Sequence, residues 1–299
     1  MYSLLWDFLS DRGISYKRDQ LLSEISTVKI GGLADLIIYP RTEEELIRTL
    51  RFMKENALGY YLVGGTSNVL FRDEGMAAPL ICTKCINGIS VSGETVNVQC
   101  GVSVPSLCAT LARAGLSGIE ELCGIPGTVG GALASNAGAF GREIGDAVIS
   151  AKVYIPSDDK IVEAKRCDLG FTYRRTSLIR DGITVLSVSL GLSKGESELI
   201  FAKMREICEM RRASQPCGLP SLGSTFKRSD GVSAGELIDK CGLKGFKLGG
   251  ASISNKHAGF IVNDGGALAC DYLKLMSVAR SAVFEKFQVK LEPEIKVLG

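Results

Sequence analysis

Two glycine-crowded segments constrain this chain more than any other feature. The first is Val63-Gly64-Gly65-Thr66-Ser67-Asn68-Val69-Leu70, directly after a run at 60–63 that reads as a strand. The second is Gly124-Ile125-Pro126-Gly127-Thr128-Val129-Gly130-Gly131-Ala132-Leu133-Ala134-Ser135-Asn136-Ala137-Gly138. Glycine lets backbone N–H groups come close to a phosphate, and the N-terminus of a following helix adds a favourable dipole. Neither segment is a Walker loop, because no Gly-Lys-Ser/Thr occurs, and neither has the Gly-x-Gly-x-x-Gly of a Rossmann fold. Tight turns and close helix packing would explain one such segment. Two of them, ending in Ser/Asn-rich turns, favour a dinucleotide site whose pyrophosphate is held by both loops.

The rest of the chain must supply a core and the remaining chemistry. Its 299 residues suggest two packed domains, and 45% hydrophobic residues are ample to fill them. A net charge of +2 gives no field that advertises nucleic acid or membrane as a partner, so an anionic ligand must be met by local groups. The start, MYSLLWDFLSDRG, lacks the basic beginning and unbroken apolar stretch of a signal peptide, and no run approaches transmembrane length. A soluble, cytoplasmic monomer is expected. Only Cys82 and Cys85 of the ten cysteines form a Cys-x-x-Cys pair, and His257 is the single histidine, so no metal site is expected. Cys100, Cys108 and Cys270 read as small hydrophobes in a reducing compartment.

Helices are predicted behind a Thr42/Glu45 capping box with Leu46, Leu50, Met53 and Ala57 in register. Others are predicted from Pro105 to about Arg113, stopped by Gly115, and over 196–212 and 271–287, the last with Tyr272, Leu275, Ala279, Val283 and Phe287 along one stripe. Strands are predicted at 35–39, 60–63, 95–99, 151–155, 183–190, 260–262 and 290–297. The fold class is α+β. The domain boundary is expected near Gly195, dividing the chain into 1–195 and 196–299.

The two glycine segments resemble the flavin-binding core of the UDP-N-acetylenolpyruvoylglucosamine reductase (MurB) family. The resemblance continues in order through Thr27-Val28-Lys29-Ile30-Gly31-Gly32, Tyr173-Arg174, Gly223-Ser224-Thr225-Phe226-Lys227, Lys256 to Asn263, and Leu291-Glu292-Pro293-Glu294. It implies a two-subdomain FAD-binding unit of the vanillyl-alcohol-oxidase-like (PCMH) type, followed by a C-terminal α+β substrate-binding domain. The short interval from Arg174 to Ser224 is similar to the family's compact second type. The implied FAD contacts are Val63, Gly64, Gly65, Thr66, Ser67, Asn68, Gly124, Ile125, Pro126, Gly127, Thr128, Gly130, Gly131 and Asn136. The chain has no histidine before His257, so FAD is expected to be non-covalent.

The implied reaction reduces the enol ether of UDP-N-acetylglucosamine enolpyruvate, with NADPH as reductant. Reduced flavin supplies the hydride, a cation must meet the growing charge on the substrate carboxylate, and an acid must protonate the neighbouring carbon. By resemblance Arg174 grips the carboxylate, Ser224 donates the proton and Glu294 opposes charge build-up. By themselves these residues read as a surface ion pair, a turn serine and one member of a solvated face with Lys290, Glu292 and Lys296. Tyr173, Lys227, Lys247 and His257 are the implied substrate contacts, Lys227 also being the candidate to polarise Ser224; Lys244 and Lys256 are further diphosphate candidates.

Three places depart from the family pattern. Thr66 stands where glycine is common, which would shift the backbone of the first loop. Arg228-Ser229-Asp230 replaces a frequent Asn-Pro, and Lys296 replaces a frequent arginine. A related flavin oxidase and a nucleotide-sugar binding protein without catalysis stay open on sequence grounds. Flavin colour and oxygen reactivity separate the three.

Overall fold

The computed structural model describes residues 2–180, 182–229 and 231–299. The chain divides into two compact units, and neither is continuous in sequence: the first is Met1–Lys17, Leu36–Gly65 and Ala78–Glu209, the second Arg18–Asp35, Thr66–Ala77 and Met210–Gly299. Two contacts account for part of the difference from the linear split expected at residue 195. The strand Val69–Phe71 pairs in parallel with the C-terminal strand Lys296–Leu298, which draws the segment after the first glycine loop into the second unit. The helix Ser197–Ser214 also begins in the first unit, where Ile207 is buried in the core.

In the first unit an antiparallel five-stranded sheet is ordered Lys160–Lys165, Val148–Ile155, Thr184–Gly191, Thr95–Gln99, Ile89–Ser92. Alternation explains its central strands: Val96 and Val98 on one, and Leu186, Val188 and Leu190 on its neighbour, are buried at every second position. A parallel group brings Leu80–Cys82 between Leu33–Tyr39 and Tyr61–Val63, so the first glycine loop leaves the end of a parallel strand.

The helix Glu43–Glu55 begins as expected, with Thr42 Oγ1 accepting from Glu45 N–H at 3.1 Å. The Glu45 carboxylate accepts from Arg41 N–H rather than from Thr42, so only half of the box forms. Leu46, Leu50 and Met53 are buried, but Ala57 lies beyond the helix in a left-handed conformation. The helix Val104–Arg113 is capped by Ser103 and followed by Gly115 at φ 65°, as its sequence predicts.

The second unit has its own core of Val28, Ile30, Leu70, Leu222, Ile261 and the buried stripe of the helix Ala269–Phe287. Tyr272, Leu275, Ala279 and Val283 form that stripe at helical spacing. Its four-stranded antiparallel sheet is ordered Ser221–Ser224, Phe260–Asn263, Ala251–Ile253, Lys247–Leu248. The strand expected over 290–297 is shorter, spanning Lys296–Leu298. Leu291 and Ile295 are buried as the alternation predicts, whereas Val297 is 36% exposed. Before Lys296 the run pairs through an isolated antiparallel bridge of Pro293 with Phe226. Among the described residues no helix is long and apolar enough to cross a membrane.

Candidate active site

In the first unit the two glycine loops meet backbone to backbone. A Cβ on Gly64 would lie 2.1 Å from Thr128 Oγ1, and one on Gly65 would lie 2.5 Å from Gly127 Cα. Side chains at 64 and 65 would therefore push the loops apart. Main-chain bonds from Val104 N–H to Gly127 O, Val129 N–H to Val102 O and Gly130 N–H to Cys100 O hold the second loop. Thr128 precedes the short helix Val129–Ala134 without capping it through its side chain. Its buried hydroxyl has no hydrogen-bond partner among the described residues. A buried polar atom left this way costs roughly 1–3 kcal/mol unless a ligand or water satisfies it. The glycine contact is accounted for by one loop packing on the other, and the unpartnered Thr128 hydroxyl is the feature that fits a phosphate-bearing group at the loops.

The end of the second loop also carries Arg174. Thr172 and Arg175 exchange backbone hydrogen bonds of 3.0 and 3.1 Å, making a tight turn with Tyr173 and Arg174 at its tip. Asn136 Nδ2 donates to Thr172 O at 3.1 Å, Thr176 Oγ1 donates to Ala134 O at 3.1 Å, and Arg174 Nη2 donates to Gly138 O at 3.2 Å. Arg174 has φ 55°, a conformation that favours glycine or asparagine. Such an outlier, held by its surroundings, is a recognised pointer to a functional position. Tyr173 is exposed, and its ring lies 5.1 Å from the Arg174 guanidinium carbon. The Asn136 side chain is buried and engaged internally, since it also donates to Glu143 and accepts from Gly145 N–H. It supports the Arg174 turn.

Thr66 opens the second-unit part of the first loop at φ 55°. Threonine here adopts the left-handed conformation in which glycine is at ease. That costs on the order of 1–2 kcal/mol for a side chain with a Cβ. Its hydroxyl donates to Ile25 O at 2.6 Å, which offsets part of this cost. Thr66→Ala is expected to lower unfolding stability by about 1–2 kcal/mol in urea titration, because the bond goes while the strain stays. Thr66→Gly loses both and should lie closer to the parent. An alanine variant as stable as the parent would show that the Ile25 bond offsets nothing.

Ser224 and Glu294 come together in the second unit. Gly223, at φ 76°, lies where the pairing of Ser221–Ser224 with Phe260–Asn263 shifts register, and the exposed Ser224 follows. The next residues pair with the C-terminal run: Glu294 N–H donates to Thr225 O, and Lys227 N–H donates to Glu292 O, both at 2.9 Å. Asn68 Nδ2 donates to Glu294 O at 3.0 Å, while Asn68 O accepts from Lys296 N–H at 2.9 Å. The first loop thus holds the main chain at Glu294 and at Lys296. Beside Ser224, buried Thr225 Oγ1 lies 3.2 Å from the hydroxyl of fully buried Tyr272. Nothing in the sequence around Thr225 announces this support; its one signal is the place of Tyr272 on the inner helical stripe.

The expected lysines are engaged elsewhere. Lys227 Nζ pairs with the Glu292 carboxylate, so the expected polarising contact on Ser224 is not the one it makes. Lys247 pairs with Asp264 at 2.7 Å and holds that carboxyl below its ordinary range. Lys244 pairs with Asp239 at 2.6 Å, and Lys256 Nζ donates to Arg212 O. Arg228 and Lys296 are exposed; Asp230 lies outside the described residues.

His257 is packed rather than free-standing. Its Nδ1 accepts from Gly259 N–H at 3.0 Å, its ring meets Phe260 edge to face at 4.9 Å, and a Cβ on Gly235 would lie 2.7 Å from its Cε1. The accepting Nδ1 leaves Nε2 to carry the proton of the neutral ring. Burial, with a smaller contribution from the charge of Lys244, lowers the His257 pKa. A histidine depressed in the folded state contributes stability above its unfolded pKa of about 6.5, and that contribution is lost as pH falls through the folded value. The parent's thermal midpoint is therefore expected to drop more than that of His257→Asn between neutral and mildly acidic pH. Parallel curves would contradict the burial effect.

Known proteins resemble this chain over nearly its whole length. Residues 34–165 match the family model of an FAD binding domain, and residues 215–298 match that of the UDP-N-acetylenolpyruvoylglucosamine reductase C-terminal domain. The chain is 40% identical to UDP-N-acetylenolpyruvoylglucosamine reductase of Caldicellulosiruptor bescii over 98% of its own length and 93% of that protein. A crystal structure of UDP-N-acetylenolpyruvylglucosamine reductase (MurB) from Thermus caldophilus is 36% identical with a TM-score of 0.82, covering 96% of this chain and 100% of that one. A berberine bridge enzyme structure shares the fold alone, at 19% identity and a TM-score of 0.50, covering 64% of this chain and 43% of the other.

Proposed function

The chain belongs to the UDP-N-acetylenolpyruvoylglucosamine reductase family, and from that membership we propose that it reduces UDP-N-acetylglucosamine enolpyruvate to UDP-N-acetylmuramate with NADPH, as a cytoplasmic step of peptidoglycan precursor synthesis. The observation that carries the reading is the pairing of the Ser224 and Glu294 segments, with Asn68 from the first glycine loop bonded to the glutamate's main chain.

The two glycine loops would hold FAD, with Gly64, Gly65 and Gly127 admitting the pyrophosphate and Thr128 Oγ1 offering its buried hydroxyl. Flavin held there would supply the hydride for the enol ether, with NADPH as its reductant. Arg174 would take the substrate carboxylate through its planar guanidinium, where negative charge grows in the transition state. Glu294 would share a proton with that carboxylate and oppose the charge build-up. Ser224 would protonate the adjacent carbon, its hydroxyl presented at the register shift behind Gly223. Tyr173 and His257, through its Nε2–H, would contact the nucleotide sugar; Lys227 and Lys247 would have to leave Glu292 and Asp264 to do so.

Anaerobic mixing tests the reading directly. NADPH should bleach the flavin, and colour should return on adding UDP-N-acetylglucosamine enolpyruvate. Rapid return with oxygen alone would favour an oxidase instead. Acid precipitation should release the flavin into the supernatant, because no histidine precedes His257 to tether it; a yellow washed pellet would contradict non-covalent binding.

A further inference from the structure

The second glycine loop begins one residue after a cysteine that faces another cysteine. Cys123 Sγ lies 3.7 Å from Cys208 Sγ, across a sequence separation of 85. Cys123 ends the short helical turn Glu120–Leu122, and Gly124 follows it. Cys208 belongs to the helix Ser197–Ser214. The same two elements are joined by Lys203, which pairs with Glu121 at 2.5 Å and approaches Glu120 at 3.9 Å. Cys123 Sγ also approaches Met204 O at 3.7 Å, one helical turn before Cys208. The thiols therefore meet at an anchored junction. Cys108 is the third thiol nearby, but it is 3% exposed, contacts Ile119 O at 3.4 Å, and is pushed well above the ordinary thiol range by burial. Burial makes it the poorest nucleophile of a group in which Cys208 is partly exposed.

From this geometry we infer that Cys123 and Cys208 are a reversible dithiol site, closed to an intrachain disulfide by a small disulfide oxidant of the glutathione class. The Cys208 thiolate attacks one oxidant sulfur, forming a mixed disulfide and releasing one thiolate, which takes up the Cys208 proton. The Cys123 thiolate then attacks the Cys208 sulfur and displaces the second thiolate, which takes up the Cys123 proton. The protein loses two electrons and two protons; the oxidant gains both and leaves as two thiols. Closing from 3.7 Å to the bonded distance of about 2 Å draws the two sulfurs together by roughly 1.7 Å. That movement pulls on the residue entering the Gly124–Gly131 segment, so the oxidised chain holds FAD less tightly. The FAD consequence rests on the flavin reading of that loop; closure of the disulfide does not.

The test uses the full chain, purified with dithiothreitol and then incubated with oxidised glutathione. Expected are a loss of two titratable thiols, a Cys123–Cys208 linked peptide in a non-reducing digest, and reversal by dithiothreitol. Cys208→Ser should give no linked peptide. FAD affinity of the oxidised parent should fall on the order of 10-fold, the equivalent of about 1.4 kcal/mol, and the fall should be absent in Cys208→Ser. Cys123 and Cys208 thiols that both survive, a glutathione adduct on Cys208 that never resolves, or a link to Cys108 would overturn the dithiol site; adducts on exposed Cys85, Cys167, Cys217 and Cys270 are counted separately in the digest. A closed disulfide with unchanged FAD affinity would overturn its coupling to the loop. If the reduced chain never binds FAD, the functional reading fails, while the thiol count and linked peptide still decide the closure.

Discussion

Replacing Ser224 with alanine is expected to slow the return of flavin colour with the enolpyruvyl sugar by about a thousandfold, within the range contributed by a positioned general acid. Flavin content and bleaching by NADPH should stay near the parent's. The fold gives no reason for wider damage: Ser224 is exposed, and the bonds that hold its neighbourhood run through the main chain of Thr225 and Lys227. Without a proton, charge is stranded on the substrate's carboxylate side, and the second half-reaction alone suffers. Cysteine at this position, with an ordinary pKa of about 8.5, is a far stronger acid than serine and should recover part of the rate. Single-turnover reoxidation of the alanine variant at the parent rate would return Ser224 to the role of a residue in a glycine-flanked turn. Because Lys227 is paired with Glu292, Lys227→Met is a poorer probe of proton donation than Ser224 itself.

Arg174→Lys is expected to cost about 2–4 kcal/mol of transition-state stabilisation, comparable to losing an oxyanion donor. Lysine keeps the charge but not the planar, two-pronged grip on a carboxylate. It would also lose the bond from Nη2 to Gly138 O that helps hold the turn at the end of the second glycine loop. Bleaching by NADPH should change much less than reoxidation by the enolpyruvyl sugar. Equal loss in both half-reactions would assign Arg174 to the flavin or to the fold, since Asn136 and Thr176 tie the same turn to the loop.

Local chemistry makes much of this protein readable in the amino-acid sequence alone. The Thr42 cap, Pro105 at a helix start and the Tyr272, Leu275, Ala279, Val283 stripe all depend on neighbours within a few residues, and each stands where the pattern predicts. The glycine loops are legible because close backbone approach requires a missing Cβ, and that need is written in residue type. Cys270 departs from its small-hydrophobe reading: it is exposed in the first turn of its helix, where an apolar neighbourhood in sequence does not become one in space.

Tertiary structure decided what depends on partners far away in the chain. Thr66 keeps a glycine-like conformation because Ile25, 41 residues earlier, accepts its hydroxyl hydrogen. Glu294 is held by Asn68, 226 residues before it, and parallel pairing of Val69–Phe71 with Lys296–Leu298 draws Thr66–Ala77 into the second unit. Lys227 and Lys247 face Glu292 and Asp264, a choice of partner that their own sequence neighbourhoods do not express. The division follows from range. Backbone conformation, capping and periodicity are settled within a turn or two of helix or strand, whereas hydrogen-bond partners and domain membership are settled only after distant segments have been brought together.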